Sequence, residues 1–346
     1  MMDRPLRRIM RPLTKSVRLG AQRWDAVGVR RQAERILRDR GDWEIGPIRR
    51  ARSGTRMANL RSAAGGDAVL KIADASDGAS GLARERLALS RLAAEPRLEI
   101  LRALLPEVLD AGTDGRWAYL VQRALPGEPA TRRLASQRHR TLPEASAIGA
   151  RLHAAAAAPR LVGTVEIVEW IERPLAAVRS LAGQGLDSGE ARSINRLATT
   201  LRAAIEGETV RLGWIHGDLW SDNILVAPHG GGITGIVDWD SSSDAGLAVH
   251  DQLHLLLYAR KVLAATEIGT EICRALGTDP QWDATELGAL TEGTSGLPGP
   301  DQASCVRLGV LLYWLRLVMA NLARQPKTTR SRRWVDDNVR AVLACL

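Results

Sequence analysis

Two apolar runs that both end on acids constrain this chain more than any other feature. "WIHGDLWSDNILV" spans Trp214 to Val226, and "IVDWDSSS" spans Ile236 to Ser243. Apolar strands lead into both: Leu212 to Ile215 precedes Asp218, and Ile233 to Val237 precedes Asp238. The tight "PHGGG" loop joins strands into a hairpin. Its ends bring Asp218, Asn223 and Asp238 close together. A carboxylate plus an amide oxygen suits Mg²⁺, a hard cation that keeps some of its waters. A second carboxylate nearby can take the proton of an attacking hydroxyl. With a lysine elsewhere to hold phosphates, these are the parts of a phosphoryl-transfer site.

The rest of the chain sorts into a strand-rich part followed by a helical part, an α+β pattern. "WEIGPIRRARS" and "RMANLRS" read as short strands around the turn Ser53-Gly54-Thr55. "GGDAVLKIADA" reads as a further strand, "SGLARERLALSRLAA" as a helix, and "RWAYLVQRAL" as a strand ended by "PGEP". Beyond Pro129 helical periodicity dominates: Leu142 to Ala158, Leu247 to about Leu276, and Ala303 to Ala323. These changes divide the chain into a basic arm over 1–42, a strand-rich part over 43–125 and a helical part over 126–346. Phe is absent while Trp occurs ten times, so Leu, Val and Trp must fill the core.

The net charge of +9 is concentrated in residues 1–40, where twelve Lys or Arg face four Asp or Glu. The body is close to neutral, so no broad basic face for a specific nucleic acid is expected. The arm reads as a solvated helix, "WDAVGVRRQAERILRDRG", a dispensable appendage able to touch anionic surfaces weakly. Cys273, Cys305 and Cys345 lack metal-ligand spacing and read as reduced thiols of a cytoplasmic protein. The most apolar segment, Leu308 to Ala323, contains Arg316 and reads as a buried helix too short to span a membrane.

"HGDLWSDN" followed by "IVDWD" resembles the catalytic and metal-binding motifs of the aminoglycoside phosphotransferase and choline kinase group. The resemblance runs from about Trp43 onward. It implies a protein-kinase-like fold with a small β-rich N-lobe and a larger helical C-lobe. It also implies a cytoplasmic kinase that moves the γ-phosphoryl of ATP, or GTP, to a small-molecule hydroxyl with Mg²⁺ as cofactor. Asp218 would be the catalytic base, and Asn223 and Asp238 would hold the metal. Lys71 would bind phosphates, with Glu85 as its ion-pair partner. Ser53, Gly54 and Thr55 would cover the phosphates, and Gln122, Arg123 and Ala124 would form the hinge beside adenine. His216 would support the loop, and Asp251 would brace it from the next helix.

Several residues depart from the group's pattern. Asp222 stands where a small residue is common, and Gly54 is the single glycine of the phosphate loop. Asp240 reads as either a second carboxylate at the metal or a helix cap at Ser241 to Ser243. His250 and His254 are spaced i, i+4, but their apolar neighbours suggest packing. Trp220 and Trp239 flank the motif and could line the site. The acceptor could be a sugar, an amino sugar, an aminoglycoside or an amino alcohol. Acids between Asp244 and Asp301 are scattered and do not assemble into a pocket on paper. The rival from another class is a non-catalytic nucleotide-binding regulator of the same fold. A protein kinase fits less well, because "DWD" replaces Asp-Phe-Gly and a helix is expected soon after Ser243.

Overall fold

Alternating burial along Arg56–Ser62 and near-continuous burial along Asp67–Asp74 mark these two segments as inner strands of an antiparallel sheet, with Ala58, Leu60, Ala68 and Leu70 turned inward. The computed structural model describes residues 19–51, 54–63, 65–74, 79–182, 188–228, 231–324 and 332–346. The chain forms two units, 1–79 with 109–124, and 80–108 with 125–346.

The first unit opens with α1 (Leu19–Leu37), followed by β1 (Trp43–Ile45), β2 (Arg49–Arg50), β3 (Arg56–Ser62) and β4 (Asp67–Asp74). After α2 (Ala79–Ala94) and a 3-10 segment at Pro96–Leu104, β5 (Val108–Asp114) and β6 (Trp117–Arg123) complete its sheet. The strand order is β1-β3-β4-β6-β5, with β2 paired to β3. Strand β5 has no counterpart in the sequence reading, because "VLDAGTD" lacks a buried alternation and none of its residues is fully buried.

The arm is not a solvated appendage. Val29, Ala33, Ile36 and Leu37 recur at helical spacing on one face of α1 and are buried with Leu60, Leu70, Ile72, Tyr119 and Val121. Polar contacts pin the same helix: Gln32 Nε2 and Arg35 Nε donate to Asp114 Oδ2 at 2.7 and 2.6 Å. Deleting residues 1–40 therefore removes part of a core. Three large aliphatic side chains at about 1.5–3 kcal/mol each put the loss at roughly 4.5–9 kcal/mol, an upper bracket because the unfolded chain already buries some of this area. A chemical denaturation curve of the truncated chain should show an early transition of the first unit; an unshifted curve would restore the appendage reading.

The second unit holds α2 and β7 (Glu128–Pro129), then α3 (Leu134–Ala156), β8 (Ala158–Leu161) and α4 (Thr164–Ile167). A π turn at Val168–Glu172 leads into α5 (Arg173–Ala182), followed by α6 (Ser188–Ile205). Next come β9 (Thr209–Ile215), β10 (Ile224–Val226), β11 (Ile233–Ile236) and β12 (Ser243–Gly246). Helices α7 (Ala248–Ala264), α8 (Ile268–Leu276), α9 (Ala284–Thr294) and α10 (Gln302–Arg324) follow, and α11 (Arg332–Val335) and α12 (Ala341–Ala344) end the chain. Two small sheets, β11-β10-β7 and β12-β9-β8, carry the segments of interest.

The single helix expected over Leu247 to Leu276 is two. Ala265 is left-handed at φ 52°, its N–H closes on Lys261 O, and Glu267 begins the next helix. Helix α10 is long and apolar enough to cross a membrane, but Leu308, Val310, Tyr313, Trp314 and Leu315 are buried in the core of this unit. Trp239, Trp314 and Tyr313 are among the largest fully buried side chains, which is how the core is filled without Phe.

The reading of three reduced cysteines is corrected: Cys273 and Cys345 form a disulfide with Cα atoms 5.8 Å apart, inside the range a bridge needs. They meet because Gly269 of α8 has no side chain to hold off the backbone at Asp337, and its N–H donates to Asn338 Oδ1 at 2.9 Å. Cys305 stays a free thiol. The argument from free thiols to a reducing compartment falls with this pair.

Candidate active site

The loop between β9 and β10 is shaped by a buried acid on the following helix. Asp251 of α7 is 2% exposed and accepts the backbone N–H of His216 at 2.6 Å and of Gly217 at 2.7 Å. His216 is fully buried. Its Nε2 donates to Val237 O at 3.0 Å and its Nδ1 receives the Asp218 N–H at 3.3 Å, which fixes the tautomer and ties the loop to the end of β11. The ring also lies 4.5 Å from Trp239. Gly217 has φ 80°, and a Cβ there would run into Ser241 O and the Arg316 guanidinium. Arg316 Nη1 instead reaches Gly217 O at 2.9 Å, so the arginine inside the apolar helix α10 supports this loop.

Removing the brace exposes its weight. In Asp251→Ala two buried N–H groups lose their acceptor, at about 1–3 kcal/mol each. Stability should fall by roughly 2–6 kcal/mol on this count. A thermal unfolding midpoint within a degree of wild type would show that water or another acceptor replaces the carboxylate.

Asn223 and Asp238 stand at one end of the β10–β11 hairpin. The register Ile224↔Ile236 continues as a hydrogen bond from Val237 N–H to Asn223 O at 2.9 Å. Asn223 Nδ2 donates to Asp218 O at 2.8 Å and lies 3.4 Å from Asp218 Oδ2. With the amide nitrogen used in this way, Asn223 Oδ1 is the atom left to ligate a cation. Asp238 is half-buried and left-handed at φ 70°, a backbone state that non-glycine residues hold chiefly at constrained sites. Among the described residues no group of three or more His, Cys, Asp or Glu could hold a metal by itself. A pair of oxygen ligands such as Asn223 and Asp238 fits an ion whose other ligands are phosphates and water.

Loop residues beyond the expected set also have clear places. Asp222 is exposed. Asp240 caps no helix: a 3-10 turn at Trp239–Ser241 leads into β12, and α7 starts only at Ala248. Asp240 Oδ1 accepts from Ser241 Oγ at 2.8 Å, and its backbone O accepts from Arg84 Nε at 3.0 Å. The sequence suggests packing for His254, yet its Nε2 lies 3.1 Å from Asp218 Oδ1 and its Nδ1 lies 3.0 Å from the Tyr313 hydroxyl. The sequence signal was present as the second His of the i, i+4 pair, but only the fold shows which of the two meets Asp218. The other member of the pair, His250, is buried, its Nε2 has no hydrogen bond among the described residues, and burial beside Arg316 holds its pKa well below the usual imidazole value. Tyr258 stacks on His254 at 4.2 Å, and Trp220 lies 5.5 Å from Tyr258.

The remaining expected residues belong to the first unit, apart from Glu85. Lys71 is 4% exposed in the middle of β4, opposite Met57 and Leu120. Gln122 is buried opposite Val69, Arg123 is exposed opposite Ala68, and Ala124 N–H donates to Asp67 O at 2.9 Å. The chain passes into the second unit at Leu125. Gly54 has φ 88° in the β2–β3 turn, which Ala51 closes by donating to Thr55 O at 2.8 Å. Ser53 lies outside the described residues. Glu85 is buried on α2 in the second unit.

The phosphotransferase enzyme family (APH) matches residues 48–265. Among solved structures, a thermostable mutant of aminoglycoside phosphotransferase APH(4)-Ia, in a ternary complex with ADP and hygromycin B, is similar at 15% identity. It covers 92% of this chain and 98% of its own, with a TM-score of 0.56. A macrolide 2'-phosphotransferase from Brachybacterium faecium is similar at 15% identity over 92% of this chain and 98% of its own, TM-score 0.51. An aminoglycoside phosphotransferase from Alicyclobacillus acidocaldarius gives 13%, 90%, 91% and 0.52 in the same order. None of the curated proteins matches the chain. These neighbours share the protein-kinase-like α+β fold, and with the family match spanning well over half of the sequence, the chain belongs to the phosphotransferase enzyme family.

Proposed function

We propose that this enzyme transfers the γ-phosphoryl group of ATP, with GTP as the alternative donor, to a hydroxyl of a small molecule. The observation that carries the proposal is the arrangement of Asp218, Asn223 and Asp238 around the β10–β11 hairpin. In this reading Asp218 accepts the hydroxyl proton as the oxygen attacks phosphorus. Asn223 Oδ1 and the Asp238 carboxylate would hold Mg²⁺, which neutralises charge on the phosphates when bound. Lys71 would hold nucleotide phosphates. The loop at Ser53, Gly54 and Thr55 would cover them, and the backbone at Gln122, Arg123 and Ala124 would meet the base.

The acceptor class is narrowed by where charges are already used. Asp244 pairs with Arg91 at 2.8 Å, and Glu271 with Arg274 at 2.7 Å. Glu286 pairs with Arg260, Asp283 caps α9, and Asp251 braces the loop. The acids between Asp244 and Asp301 are thus largely taken up by the fold rather than gathered for a polycation. Half-buried Trp220, tilted 57° against Tyr258 on the His254 side of Asp218, is an aromatic side chain suited to lining a sugar site. Hygromycin B and a macrolide head the test panel because fold relatives carry those names, followed by simple sugars, amino sugars and amino alcohols. Incubation with γ-labelled ATP and Mg²⁺ should label one class. Labelling of a protein substrate and of no small molecule would overturn the proposal.

A further inference from the structure

We infer that Arg84 of α2 is a positioning residue for the metal-ligating segment, on the reading that Asp238 ligates Mg²⁺. Both residues belong to the second unit. Arg84 Nε donates to the backbone O of Asp240 at 3.0 Å, just past Asp238. Further along the helix, Arg91 Nη1 donates to Asp244 Oδ2 at 2.8 Å. Arginines at i and i+7 share one face of a helix, so α2 runs beside the chain from Asp240 to Asp244. Ala88 lies between them on that face and is buried with Leu89 and Leu92 in the core of the second unit. The helix is therefore a fixed base for both side chains. The Asp240 carboxylate also lies on the α2 side: its Oδ2 is 3.6 Å from the point where Gly81 would carry a Cβ. The two contacts differ in weight. Arg91 and Asp244 are both more than half exposed, and such a pair is screened and adds little. Arg84 instead bonds the turn that follows the ligand.

That turn needs a hold. Asp238 is left-handed at φ 70°, a state that a residue with a Cβ keeps only where its surroundings fix it. Before it, Val237 O accepts from His216 Nε2, and Val237 N–H donates to Asn223 O. After it, Ser242 N–H and Oγ both donate to Trp239 O, and the Trp239 indole donates to Ile236 O. Burial of the Trp239 ring seats the front of the turn. The bond from Arg84, 156 residues away in sequence, fixes its far end. Without it the backbone past Trp239 can relax and draw Asp238 out of its left-handed state. Charge and geometry then predict opposite signs. A guanidinium near a cation site repels the cation, so its loss as a charge would tighten Mg²⁺ binding or, screened by salt, leave it unchanged. Its loss as a support weakens Mg²⁺ binding, because the Asp238 carboxylate is no longer held in place.

Two substitutions in the full chain separate these effects. Arg84→Met keeps much of the stem and has no donor. Arg84→Gln sets its amide nitrogen where arginine has Nε, so it keeps the hydrogen bond and loses the charge. The first readout is calorimetric: the Mg²⁺ concentration that gives half of the full gain in ATP affinity. Arg84→Met should raise this requirement roughly 10-fold, as loss of a support behind a metal ligand does, and Arg84→Gln should stay close to wild type. The second readout needs neither metal nor nucleotide. Hydrogen exchange over 238–244 should speed up in Arg84→Met and not in Arg84→Gln. The His216 and Gly217 amides should not change, because Asp251 holds them. A metal requirement in Arg84→Met at or below that of wild type overturns the inference, even where its unfolding midpoint falls. So does unchanged exchange over 238–244, or an Arg84→Gln as impaired as Arg84→Met. Asp238→Asn tests the reading beneath. If it raises the requirement and Arg84→Met does not, only the role of Arg84 falls. If Asp238→Asn keeps the wild-type requirement, Asp238 is not a ligand and both fall.

Discussion

Asp218→Asn should lower phosphoryl transfer by about 10²- to 10⁴-fold, the usual contribution of a general base, while leaving ATP affinity nearly unchanged. The substitution is close to isosteric and keeps one oxygen, which can face either His254 or Asn223 but not both. The loop should therefore hold its shape: the contacts that set it come from Asp251, His216 and Arg316, none of which bonds the Asp218 carboxylate. What disappears is basicity. An amide oxygen cannot take the hydroxyl proton at neutral pH, so the attacking oxygen must lose it to water. The check is kcat with the acceptor identified by labelling, together with ATP affinity by calorimetry. Wild-type turnover in the mutant would take Asp218 out of this role. A parallel loss of ATP affinity would mean that its charge serves nucleotide binding instead.

Much of this site was legible because its residues are close in sequence. Asp218, Asn223 and Asp238 fall within one loop and one hairpin, and short-range rules carry a reader from apolar strands and a Gly-rich turn to their meeting point. Lys71 was legible as a lysine inside an apolar strand. The elements missed depend on distant partners. His254 and Tyr313 are 59 residues apart and meet only when α7 packs beside α10. The face of α1 is visible as Val29, Ala33, Ile36 and Leu37, but its charge points the reading toward solvent, and the sheet residues that cover it are spread from Ile45 to Val121. Cys273 and Cys345 are 72 residues apart, and nothing local marks them as neighbours. The break at Ala265 is a left-handed residue that is not glycine, which the usual stop signals do not flag.

Replacing Asp238 by Ala should abolish transfer, and the substitution separates enzyme from non-catalytic regulator. Asn223 offers one neutral oxygen, and the Asp238 carboxylate is the only charge the expected ligand pair supplies. Without it Mg²⁺ should bind the site through phosphates alone. The γ-phosphoryl group would then lose its clamp and the neutralisation of its developing charge, the main catalytic contribution in this chemistry. The backbone complicates the choice of variant, because Asp238 sits at φ 70°. Alanine disfavours that conformation by about 1–2 kcal/mol, whereas asparagine tolerates it. Asp238→Asn therefore isolates the charge, and Asp238→Ala adds the effect of a relaxed loop. Calorimetric titration of ATP, with and without Mg²⁺, should show strong metal dependence in wild type and a weakened one in both variants. Transfer should be undetectable in Ala and reduced by orders of magnitude in Asn. If wild-type affinity is indifferent to Mg²⁺ and no acceptor is phosphorylated, the chain binds nucleotide without using it.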